Sequence, residues 1–159
     1  MREAPACNPA GSDAAWMSHA VELAAHCAQF GDVPVGACVV APDGALIGEG
    51  WNVREAEADP AGHAEIVAMR HAATSLGRWR LAGCTLFVTL EPCAMCAGAL
   101  VQSRIERVVF GAWDVKAGAC GSVWDLARDP LALHRVEVVG GVDEQRCSAL
   151  LLDFFATRR

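Results

Sequence analysis

Residues 84–98 read Cys84-Thr85-Leu86-Phe87-Val88-Thr89-Leu90-Glu91-Pro92-Cys93-Ala94-Met95-Cys96-Ala97-Gly98. The first seven form a continuous apolar run, suited to a strand covered on both faces of its sheet. Pro92 then opens a helix, because a proline in the first turn forfeits no hydrogen bond. Cys93 and Cys96 stand three positions apart, so both thiols project from one face of that turn. A helix N-terminus carries partial positive charge and free N–H groups, which favour the thiolate form. A strand feeding a helix that begins with two thiolates is the unit around which the chain is organised.

A second stretch, Gly62-His63-Ala64-Glu65-Ile66-Val67-Ala68-Met69, supplies an imidazole and a carboxylate near another helix start. Structural zinc sites close with four protein ligands, whereas catalytic ones keep a position for water. His63, Cys93 and Cys96 as three ligands, with Glu65 spare, fit the second kind. Zinc lowers the pKa of water toward about 7. Glu65 is then the natural proton shuttle, a role worth roughly 10²–10⁴-fold in rate. Positions i and i+2 do not share a face within a helix, so His63 must sit at an irregular first turn. The expectation is two helix N-termini converging on one ion. The competing readings are two small buried cysteines, a Cys-x-x-Cys redox pair, and a solvated helix-start carboxylate for Glu65. Each leaves the joint spacing of the four residues without a cause.

Working outward, Ser12-Asp13 supplies an N-cap. Trp16, Ala20, Leu23, Ala24 and Cys27 recur at helical spacing over about 14–29. Residues 33–40 and 45–51 read as a hairpin around the turn Pro42-Asp43-Gly44. The helix carrying His63 runs to about Leu76, with Ile66, Met69, Ala73 and Leu76 on one face. His71 lies two turns past His63, too far to share its metal. Residues 107–111 and 136–139 read as strands, and 143–157 as a final helix. Between them, 112–134 is a long irregular segment, the kind that is usually functional in a compact domain. The expected architecture is a three-layer α/β/α sandwich on a five-stranded mixed sheet. Residues 1–11 are expected to be a flexible N-terminus and 12–159 one domain.

The chain has 159 residues and a net charge of -6, which argues against a broad basic face for nucleic acid but leaves room for a local one. Its hydrophobic fraction of 53% reflects alanine bias or apolar surface buried in an oligomer. Eight cysteines without a secretory leader read as reduced thiols, and no window spans a membrane, so the protein is expected to be cytoplasmic. Cys38 reads as core and Cys7 as part of a loose terminus. His19 and His26 read as surface or interface groups.

His-x-Glu followed by Pro-Cys-x-x-Cys is a signature of zinc deaminases acting on nucleobases. From about Trp16 to Arg159 the chain resembles the cytidine deaminase superfamily, and within it the bacterial branch that acts on tRNA adenosine. The likeness is carried by Val33-Pro34-Val35-Gly36-Ala37, Gly48-Glu49-Gly50-Trp51-Asn52, Asp59-Pro60, the two metal stretches, Ser103-Arg104-Ile105 and Val108 to Ala112. Asp114, Lys116-Ala117-Gly118-Ala119, Gly121-Ser122 and the tail Asp153-Phe154-Phe155 with Arg158-Arg159 extend it.

The resemblance implies one zinc per chain and a homodimer. It implies hydrolysis of adenosine to inosine at the wobble position of a tRNA anticodon stem-loop, usually an arginine tRNA. It also implies that Asn52 contacts the flipped nucleoside and that Asp114 and Lys116 lie beside the RNA strand. Phe155 and Arg158 would hold neighbouring nucleotides, while Phe154 and Phe155 have equal claims to packing. The acidic loop 53–58 and Trp113 in place of a basic residue depart from the pattern. Trp113 then reads as a stacking surface or a dimer contact. Arg78, Arg80, Arg104, Arg107, Lys116, Arg128, Arg158 and Arg159 are candidates for a basic rim, Arg78 and Arg128 the weakest. The alternative activity is a deaminase of guanine or another free nucleobase or nucleoside. A non-catalytic zinc-stabilised subunit is a third reading, against which Glu65 argues.

Overall fold

The computed structural model describes residues 12–158. The expected flexible N-terminus with Cys7, and Arg159, lie outside the described residues. The elements follow in the order α1 (Asp13–Ala28), β1 (Gly36–Val40), β2 (Leu46–Trp51), α2 (Ala64–Leu76), β3 (Thr85–Leu90), α3 (Ala94–Gln102), β4 (Arg107–Ala112), β5 (Glu137–Val139) and α4 (Glu144–Ala156). The five strands form one mixed sheet in the order β2-β1-β3-β4-β5. The pairs β1–β2 and β1–β3 are antiparallel, and β3–β4 and β4–β5 are parallel.

Local chemistry explains the element ends. Ser12 caps α1 by accepting the Ala15 N–H at 3.2 Å. The β1–β2 turn is tied by the Asp43 carboxylate, which accepts the Ala45 N–H at 2.9 Å. Gly77 ends α2 in the left-handed conformation, φ 64°, donating to the carbonyls of Ala73 and Thr74. Every residue of β1 is buried, as expected of a strand covered on both faces.

On one face, α1 and α4 cover Cys38, Phe87 and Val109 with Met17, Ala20, Val21 and Cys147. On the other, α2 and α3 cover Val39, Leu86, Val88 and Val108 with Ala64, Ala68, Ala97 and Leu100. The expected three-layer sandwich is therefore present, with β3 at its centre. Strand β3 is also where the sheet changes from antiparallel to parallel pairing.

One local expectation needs correction. Pro92 does not lie in the helix. Cys93 is the N-cap of α3 and Pro92 precedes it, so the proline sets the approach of the chain to the helix. The expected apolar face of α2 packs on the core, with Met69 buried and Ile66, Ala73 and Leu76 against it, but a different side lies nearest the sheet. It is Ala64, Ala68 and Ala72, all fully buried, whereas Ile66, Ala73 and Leu76 are half-buried. The reason lies in β2. A side chain at Gly48 would come within 2.7 Å of Ala72 N, and one at Gly50 within 2.6 Å of Ala68 N. Helix α2 lies so close to β2 that only alanines fit beneath it, and the larger residues turn sideways and outward.

Candidate metal centre

His63 is the N-cap of α2, with extended backbone at φ -75° and ψ 151°. Cys93 is the N-cap of α3, also extended, at φ -73° and ψ 177°. N-caps favour Ser, Thr, Asp or Asn, whose side chains satisfy a free helix N–H, a contribution of about 1 kcal/mol. Neither His63 nor Cys93 makes such a bond. Both helices forgo that stabilisation and leave the two side chains aimed elsewhere.

They aim at each other. His63 Nδ1 stands 3.5 Å from Cys93 Sγ and 3.5 Å from Cys96 Sγ. Tetrahedral zinc with bonds of about 2.3 Å to sulfur and about 2.05 Å to nitrogen separates nitrogen from sulfur by about 3.6 Å. The observed spacing fits such an ion, and the donor set suits it. Among the described residues these three form the one His/Cys/Asp/Glu group that can hold a metal, with ligand atoms within 4.8 Å of one another. No fourth such side chain joins them.

The protonation pattern agrees. Cys93 is pushed down to about 3, chiefly by its hydrogen bond with Cys96 and further by His63. Cys96 is raised, first by that same bond and then by burial. A metal ion binds both sulfurs as thiolates and so displaces any proton they hold. His63 is raised, first by its hydrogen bond with Cys93, against the opposing effect of burial.

Glu65 lies in the first turn of α2 and is 4% exposed. Burial pushes its carboxyl up to about 7, against the lowering effects of its own backbone N–H and of His63. Because His63 precedes the helix, a two-residue separation brings both groups to one place. A carboxyl poised near neutral pH beside a metal site suits reversible proton transfer.

His63, Glu65 and Cys93 line a cavity of about 190 Å³, with Asn52, Arg54, Asp114, Val33 and Glu91 around it. Asn52 Nδ2 donates to Val33 O at 3.2 Å, and its Oδ1 accepts the Arg54 N–H at 3.2 Å. The amide retains a donor and a lone pair for a ligand. A second groove of about 520 Å³ continues from the same Val33, Asn52 and Arg54, walled by Phe154, Phe155 and Arg158. The Arg158 guanidinium lies 4.0 Å from the Phe154 ring centroid. Phe154 is half-buried and Phe155 is 53% exposed, the two rings packing edge to face.

The structure places Asn52 and Asp114 in the cavity and Phe155 and Arg158 in the groove. Lys116 is exposed and lies outside both linings. Of the other basic candidates, Arg107 pairs with Asp13 at 2.7 Å and Arg128 with Asp125 at 2.7 Å. Arg104 donates to Val101 O at 2.8 Å, and Arg80 lies over Trp79. Trp113 packs edge to face on Phe110, outside the cavity lining. His71 turns away from the centre, its Nδ1 2.7 Å from Glu49 O.

Sequence reasoning missed Arg54, although its place two residues after Asn52 was a usable signal. It also missed Asp32, a buried carboxylate that accepts the Glu55 and Ala56 N–H groups at 2.9 and 3.1 Å and so pins the loop carrying Arg54. Nothing in the local sequence marks Asp32 as buried.

An α/β/α sandwich whose two helix starts bring an imidazole and two thiols together beside a buried carboxyl defines a zinc-dependent deaminase. The model of the cytidine and deoxycytidylate deaminase zinc-binding region matches residues 11–112, and the chain belongs to that family. It is 47% identical to the tRNA-specific adenosine deaminase of Haemophilus influenzae, over 92% of this chain and 85% of that one. With the tRNA-specific adenosine deaminase of Bacillus subtilis it shares 44% identity, over 92% and 91%. A solved structure from work on A-to-I editing by tRNA:A34 deaminases superposes with a TM-score of 0.82 at 38% identity, covering 86% of this chain and 98% of that one.

Proposed function

We propose that the protein hydrolyses adenosine to inosine at the wobble position of a tRNA anticodon. The observation that carries this reading is the continuity of the cavity with the groove. At about 190 Å³ the cavity is smaller than the roughly 300–1,000 Å³ of drug-sized sites and suits one flat base. A free nucleobase would need no more. The groove beyond it offers two aromatic rings and two guanidiniums, which is what an unstacked RNA loop requires for stacking and phosphate neutralisation. The relatives' named activity supports the same substrate.

His63, Cys93 and Cys96 would hold the zinc, which when bound would supply an acidified water as nucleophile. The chain's own groups do the rest. Glu65 would take one proton from that water as its oxygen bonds to C6 and deliver it to the purine ring nitrogen; it would then take the second proton from the new C6 hydroxyl and pass it to the amine, which leaves as ammonia when the C6–N bond breaks. Asn52 orients the nucleoside through its remaining donor and acceptor. Asp114 borders the base, and Lys116 reaches the RNA strand from outside the cavity. Phe155 and Arg158 hold the flanking nucleotides.

An arginine tRNA is the proposed substrate and a homodimer the proposed assembly, in the cytoplasm, with residues 12–159 as one domain. The dimer reading is supported by the outward apolar groove between α2 and α3, where Ile66, Met69, Ala73 and Ala99 meet Trp79, itself 59% exposed. The cytoplasmic reading is supported by seven free thiols among the described residues. None of the described helices is long and apolar enough to cross a membrane.

The deciding experiment measures inosine formation on anticodon stem-loops of several tRNAs beside free adenosine, guanine and cytidine. Turnover of the arginine stem-loop alone is expected. Turnover of free guanine with no RNA product would replace this reading with the nucleobase deaminase. Sedimentation of the purified protein tests the dimer.

A further inference from the structure

Glu91 is 2% exposed and touches the irregular 112–134 segment at four donors. Its Oε2 accepts the Asp114 N–H at 2.9 Å, and its Oε1 accepts those of Cys120 at 3.1 Å and Ser122 at 3.0 Å. The Ser122 hydroxyl donates to Oε2 as well. One carboxylate thus gathers three positions spread over nine residues. A second set of bonds extends its reach. Asp114 Oδ1 accepts the N–H groups of Lys116 and Ala117 at 3.0 and 3.2 Å, which shapes the cavity wall formed by Asp114 and Ala117.

The same segment also lies on the metal-binding turn. Ala119 N–H donates to Pro92 O at 2.8 Å, and Gly118 bridges Cys93. Gly118 packs against the Glu91 carboxylate itself, and a side chain there would also come within 2.6 Å of Asp114 O. The glycine is required for this close approach.

We infer that Glu91 is a positioning residue for substrate: it clamps the 112–122 segment so that the Asp114–Ala117 wall stands at a fixed distance from the ligand turn at Cys93. The clamp has no part in proton transfer and does not hold the metal. Its kinetic consequence rests on the proposed deaminase reading, whereas its structural consequence does not.

The test is Glu91→Gln, which keeps the shape but turns one acceptor into a donor facing donors. Hydrogen–deuterium exchange of the peptide spanning 113–122 is expected to accelerate about 10- to 100-fold, the range set by losing a bond to a charged group. Zinc content should stay at one per chain. KM for the stem-loop should rise about 10- to 100-fold while kcat per zinc-loaded chain changes by less than about threefold. A purely structural role would instead lower the active fraction and leave KM unchanged, and that result overturns the inference. So does unchanged exchange in the segment. Should Glu91→Gln fail to fold, Ser122→Ala removes a single exposed donor and is expected to speed exchange about 3- to 10-fold; no change there overturns it equally. If the wild-type protein does not act on any stem-loop, the functional reading fails, and the exchange measurement still decides the role of Glu91.

Discussion

Gly50 of β2 lies against the start of α2 beneath Ala64, the residue that follows His63, so the sheet and the metal-binding turn are in backbone contact. An added Cβ at Gly50 would stand 2.6 Å from Ala68 N and 3.0 Å from Val67 Cβ. Gly50→Ala is expected to push α2 away, lowering stability by about 1–3 kcal/mol or more. Because the push falls within one turn of His63, zinc affinity should drop as well. Urea unfolding and zinc titration on the same variant check both.

Glu65→Gln is expected to retain zinc at one per chain and lose roughly 10²–10⁴-fold in kcat. Zinc analysis beside an inosine assay measures the two together. Unchanged turnover would remove Glu65 from the chemistry.

His63→Ala removes the nitrogen that stands 3.5 Å from both sulfurs. Zinc content should fall below one per chain and activity should vanish. The wild-type protein treated with chelator should melt lower than the loaded protein, by an amount that grows with zinc concentration. Both proteins should keep the helical circular dichroism spectrum.

Phe155→Ala should weaken stem-loop binding by about 1–3 kcal/mol, the usual worth of a base stacked on an aromatic ring. Zinc content and melting temperature should stay near wild type, since the ring is 53% exposed. Equal binding by both proteins would return Phe155 to a packing role.

Burial pushes Cys38 from its ordinary 9.0 up to about 12. The folded chain therefore holds this proton to higher pH than the unfolded chain does. Its contribution to stability is complete below about pH 9 and is lost as pH rises from there through 12. The expected slope is at most about 1.4 kcal/mol per pH unit for this thiol. Urea unfolding between pH 8 and 11 should show the decline, and Cys38→Ala should reduce its slope by one thiol's share, because burial raises Cys120 and Cys147 in the same sense.

What could be read from the sequence follows from how each interaction is encoded. The meeting of Cys93, Cys96 and His63, with Glu65 in the same cavity, was legible because a metal site would constrain residue type and spacing together. The strand and helix order was legible because β3 is uniformly apolar and α1 keeps helical spacing. The orientation of α2 was not. Its apolar residues follow a helical period, but the deciding fact is the absence of side chains at Gly48 and Gly50 on another element. Asp32 and Glu91 were illegible for a related reason. Their partners are backbone N–H groups, which any sequence presents, so only the path of the chain reveals them.

The cap positions of His63 and Cys93 carry a consequence for how the protein matures. Neither residue's side chain takes part in the hydrogen-bond ladder of α2 or α3, so both helices can form before any ion arrives. Metallation then completes a finished receptacle, unlike the small finger domains in which the ion drives the folding itself. Apoprotein made in a zinc-poor cell would await its ion in native shape, and exchange of one metal for another would proceed without refolding the chain.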